Sequence, residues 1–102
     1  MTDADAIYRH GTYTPLVGSA FVVHRPDGSA VEMELVEAEE LSDRGQCFSL
    51  VFRGGDEGLD QQMYRLEHGE LGEFELFLVP IAPTEAGEPQ LQAVVNRPGA
   101  ER

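Results

Sequence analysis

Apolar and polar side chains in this chain alternate with a period of two. In Val31-Glu32-Met33-Glu34-Leu35 three apolar residues share one face and two carboxylates the other, the pattern of a half-buried strand. The turn Arg25-Pro26-Asp27-Gly28 precedes it, and a short strand, Phe21-Val22-Val23-His24, comes before that turn. Proline suits the second position of such a turn and glycine the residue that closes it. The residues Glu37, Ala38, Glu39 and Glu40 have weak strand propensity, which leaves 37–41 open between a longer strand and a helical turn.

Further strands follow in the same style. Ser42-Asp43-Arg44-Gly45 reads as a turn, and Gln46 to Arg53 as a strand with Phe48, Leu50 and Phe52 on one face. Gly54-Gly55-Asp56-Glu57-Gly58-Leu59-Asp60 is the most loop-like stretch. Tyr64 and Leu66 point inward from Gln62 to His68, and Phe74, Leu76 and Leu78 from Glu73 to Ile81. Leu91 to Asn96 forms the last strand. Tyr8, Tyr13 and Leu16 are placed to cover one end of the core, with Pro15 confining any strand there to an edge. Six to seven short strands predict an all-β fold, a small antiparallel meander barrel or sandwich. The core expected from these faces is Phe48, Leu50, Phe52, Tyr64, Leu66, Phe74, Leu76 and Leu78.

One strand breaks the alternation. Its second face carries Glu75 and then Phe77, Val79 and Ile81. A strand apolar on both sides is either central in the fold or covered by another subunit. Phe77, Val79 and Ile81 are therefore the candidate interface.

Length and charge narrow the picture. A chain of 102 residues suits one β-domain spanning 1–102, with loose ends at about 1–6 and 97–102. Its formal net charge is −12, and the seven positive residues are all arginine. Such acidity disfavours nucleic acid and anionic membranes as partners. The single cysteine, Cys47, allows no intrachain disulfide. The acidic start, Met1-Thr2-Asp3-Ala4-Asp5-Ala6, has no basic, apolar leader. No apolar run reaches the roughly 20 residues a membrane span needs, so the expected location is the cytoplasm.

Chemistry is hard to assemble from these residues. Cys47 has no histidine aimed at it by any pattern, and Val17-Gly18-Ser19-Ala20 lacks the second glycine of a nucleophile elbow. His10, His24 and His68 have no metal-ligand partners at short spacing. His68 precedes Gly69, and its ring is placed to bond the backbone of the 69–72 turn, a structural role. The acidic loop after Gly54 lacks the alternating ligands of a calcium loop. Glu32, Glu34, Glu37, Glu39 and Glu40 form a charge run rather than a contrasting catalytic pair. The expectation is a protein that is not an enzyme, with no catalytic residue, cofactor or metal.

From Phe48-Ser49-Leu50-Val51-Phe52-Arg53-Gly54 onward the chain resembles a family of small uncharacterised bacterial proteins, a domain of unknown function. The likeness runs through Gln62, Tyr64, Leu66, His68, Leu71-Gly72, Phe74 to Ile81 and Ala93-Val94-Val95-Asn96, and touches Gly18 and Phe21. The family pattern has aromatic residues where this chain has Leu91 and Val95. The resemblance implies a fold and no activity, and a gene found near those of phage-tail-collar-like proteins, which would imply a part in an assembled particle. Function is then expected to be structural: an assembly module binding a protein partner or a second copy. The competing expectation is an acidic binding or inhibitor module for a basic partner, carried by Glu32 to Glu40.

Overall fold

The computed structural model describes residues 10–41, 47–54 and 60–96. A one-turn helix, α1 (His10–Tyr13), runs into a 3₁₀ turn at Thr14–Leu16. Six strands follow: β1 (Ala20–His24), β2 (Ala30–Glu40), β3 (Cys47–Gly54), β4 (Gln62–His68), β5 (Gly72–Ile81) and β6 (Gln90–Asn96). They close into an antiparallel barrel in the order β1-β2-β3-β6-β5-β4. Tyr8, the 42–45 turn, the interior of the acidic loop and both expected loose ends lie outside the described residues.

The meander expected from sequence is present twice, as β1-β2-β3 and β4-β5-β6, rather than once around the whole barrel. The chain leaves β3 without turning back on it. Gly54 has φ +104, and its N–H donates to the Pro89 carbonyl at 2.9 Å, which ties the end of β3 to the β5–β6 loop. A side chain at that φ is strained, and a Cβ there would meet the Glu32 carbonyl at 3.7 Å. β4 pairs with β1 and closes the barrel.

The segment 37–41 resolves as strand to Glu40 by way of a bulge. Leu35 pairs with Phe52, but Glu37 pairs with Val51, so Val36 is an extra residue. Its consequence is chemical. Before the bulge the odd residues Met33 and Leu35 point inward; after it the even residue Ala38 packs against the core. Unbroken alternation would aim Glu37 and Glu39 into that core. The bulge keeps both on the outer surface, where burying a carboxylate is avoided.

All eight expected core residues are buried, joined by Phe21, Val23, Met33, Leu35, Leu91, Ala93 and Val95. Leu91 and Val95 of the last strand also pack inward. Tyr13 supplies a ring from elsewhere. It is fully buried, with its ring centroid 5.6 Å from Phe48 and 6.4 Å from Phe74. With Leu16 it covers one end of the barrel, as expected, although through a helical turn and not an edge strand. The strand buried on both faces is β3, whose outward Ser49 and Val51 are covered as well.

The β1–β2 connection is held by Asp27. Its carboxylate accepts the Ser29 N–H at 2.9 Å and the Ser29 hydroxyl at 2.7 Å. The hydroxyl bond, then the amide bond, holds this carboxyl below the ordinary aspartate range. A carboxyl whose folded pKa is depressed stabilises the fold above its unfolded pKa. That contribution is lost as pH falls through the lower, folded value.

Candidate functional site

Two features stand out. One looks catalytic at first sight and the other is a surface. In the first, the Ser19 hydroxyl lies 3.1 Å from His68 Nε2, within reach of a serine–histidine pair. The remaining bonds set the direction of the protons. Glu70 N–H donates to His68 Nδ1 at 3.0 Å, so that nitrogen is the unprotonated one. In the neutral ring Nε2 then carries the hydrogen and donates to Ser19 Oγ. The serine hydroxyl in turn donates to the Leu16 carbonyl at 2.5 Å.

A base for Ser19 would need the opposite arrangement, with a bare Nε2 accepting the serine proton. The chain Glu70 N–H, His68, Ser19, Leu16 C=O instead ties the β4–β5 turn to the 3₁₀ turn at the barrel end. His68 is buried and lies against Phe21, with ring centroids 4.5 Å apart. The turn bond expected of His68 is therefore present. Ser19 as its second partner was not legible, because 49 residues separate the two.

The other candidates stand apart. His10 begins α1, and His24 ends β1, its Nε2 3.1 Å from a Glu67 oxygen. Cys47 is half-buried at the start of β3. Among the described residues no three His, Cys, Asp or Glu side chains gather closely enough to hold a metal ion. Nor is any helix among them long and apolar enough to cross a membrane.

The surface feature lies on β4, β5 and β6. Phe77 is 48% exposed, whereas Val79 and Ile81 on the same face are half-buried. β5 lies between β4 and β6 in the closed barrel, yet its second face is open at Phe77. Met63, 56% exposed, is the cross-strand partner of Phe77, and Val94 is 59% exposed on β6. Val79–Gln92 is the last pair of the β5–β6 ladder, and Phe77 and Val94 each lie two residues beyond it on their own strands. Met63, Phe77 and Val94 make an apolar row on the outer face of three neighbouring strands, paired between Met63 and Phe77 and unpaired between Phe77 and Val94.

Met63 and Val94 were missed in the sequence. Val94 had the signal already used for β5, because Ala93-Val94-Val95 is apolar on both faces. Met63 had none, since one methionine beside Tyr64 needs the strand pairing to place it beside Phe77.

The acidic run occupies a different side. Glu32, Glu34, Glu37 and Glu39 line the outside of β2. Arg53 on β3 bonds Glu34 and lies 3.6 Å from Glu88. The Glu34 bond, more than its bare charge, raises the Arg53 pKa further above its ordinary value.

Residues 8–95 match the model of a family described as a domain of unknown function (DUF6916). No curated protein and no solved structure matches the chain.

Proposed function

The chain belongs to this family of unknown function, and we propose that it works by contact, as a structural or assembly module that docks through the outer face of β4, β5 and β6. The observation that carries the reading is the row Met63, Phe77 and Val94, three large apolar side chains about half exposed on adjacent strands. Exposed apolar surface of this continuity gains from being covered. The direction of the Ser19–His68 bonds supports a non-catalytic role, because it spends the histidine on holding the fold. If the resemblance to proteins encoded near phage-tail-collar-like proteins carries over, the occupant is another component of an assembled particle, in a bacterial cytoplasm.

Phe77→Ser tests this. The side chain is half exposed, so the substitution should cost about 1–2 kcal/mol and leave the chain folded. Light scattering on fresh extract should find the native chain in a species larger than one chain, and Phe77→Ser running alone. A native protein that runs as one free chain, or a Phe77→Ser variant that stays in the larger species, defeats the proposal.

The second reading, an acidic module for a basic partner, draws on the outward stripe Glu32, Glu34, Glu37 and Glu39. The β2 bulge is what keeps that stripe continuous on one face. Its partner would dissociate as salt rises, whereas contact through the apolar row would persist.

A further inference from the structure

The barrel is not sealed evenly. β5 pairs with β4 from Gly72 to Leu78, but with β6 only from Val79 to Ile81. β6 pairs with β3 along its whole length, as far as Asn96. Toward the α1 end the facing edges of β5 and β6 therefore lack strand partners among the described residues. Each such edge carries backbone N–H and C=O groups able to accept an added strand.

The side chains along the β5 edge limit what can be added. Its outward residues run Glu73, Glu75, Phe77. Glu75 faces Arg65 across the β4 ladder, but Glu73 faces Glu67, a like charge. Like charges directly opposite destabilise a sheet. Glu67 has His24 as a partner; no ion pair of Glu73 is found among the described residues. A cation on an added strand would relieve Glu73.

We propose that the open edge of β5 accepts an extended segment of a partner protein by antiparallel strand addition, basic opposite Glu73 and Glu75 and apolar opposite Phe77. This rests on the contact role above and names its partner class. A second copy of this chain fits poorly. Neither β5 nor β6 carries a cation, and two β5 strands paired about Glu75 would oppose the same carboxylates. The partner strand therefore comes from a different protein, with apolar and basic residues at spacings of two.

The test is a titration of the full, isotope-labelled chain with a short peptide whose core is Leu-Thr-Arg-Val-Arg, followed by NMR. Shifts at the amides of Glu73, Glu75 and Phe77 are expected, with slowed hydrogen exchange there. A peptide with Glu in place of both arginines should bind roughly 2- to 30-fold more weakly, from the worth of two cross-strand charge pairs. The double variant Glu73→Arg and Glu75→Arg should reverse that preference. The proposal falls if β5 amides facing away from β4 are already protected in the free chain. It falls equally if neither peptide binds, if both bind alike, or if the shifts appear along Glu32 to Glu39 instead. Any of these leaves the apolar-row contact standing as long as Phe77→Ser still releases the chain from its larger species, so the two failures are distinguishable.

Discussion

Phe21→Ala should bring the protein to the edge of unfolding. Phe21 is fully buried on β1 and touches rings on three other strands. Its centroid lies 5.3 Å from Phe52, 6.3 Å from Phe74 and 4.5 Å from His68. Removing it deletes the apolar area of a whole ring and leaves a cavity that closed barrel walls cannot collapse to fill. Such truncations cost about 3–5 kcal/mol, against a total stability of roughly 5–15 kcal/mol for a domain. Urea denaturation reads the effect as a lower midpoint with an unchanged slope. A loss under about 1 kcal/mol would mean that the rings do not meet at a common centre.

The second large effect concerns the Ser19–His68 chain. Ser19→Ala removes the acceptor of a buried N–H, which costs about 1–3 kcal/mol. His68→Phe keeps a ring against Phe21 but strips both bonds, leaving Glu70 N–H without its acceptor. Because the two residues share one bond, the losses should not add. Ser19→Ala made in the His68→Phe background should cost at least about 0.5 kcal/mol less than in the native chain. Additivity within about 0.3 kcal/mol would show that the serine and histidine act independently.

The inward faces of β3, β4 and β5 were legible because alternation is a local signal. Phe48-Ser49-Leu50 and Tyr64-Arg65-Leu66 announce their buried side without any knowledge of neighbours. What alternation cannot carry is pairing. The β2 bulge depends on Val36 slipping against β3, and only the partner strand shows that Glu37 has changed sides. Closure through β1 and β4 depends on the course of the chain after Gly54, where sequence offers a loop and no destination. The candidate interface divides along the same line. Phe77 was legible from the doubly apolar run, whereas Met63 joined it through the β4–β5 register alone. Val79 and Ile81, read on the same terms as Phe77, are partly covered where β5 meets β6.

Covering of the Phe77 row by another protein is the central claim, and site-specific photocrosslinking in the producing cells tests it most directly. A photoreactive residue at Phe77 or Val94 should give one adduct of defined size. The same residue at Val17, 45% exposed but off the row, should give none. Absence of an adduct at both Phe77 and Val94, or equal yield at Val17, would contradict it.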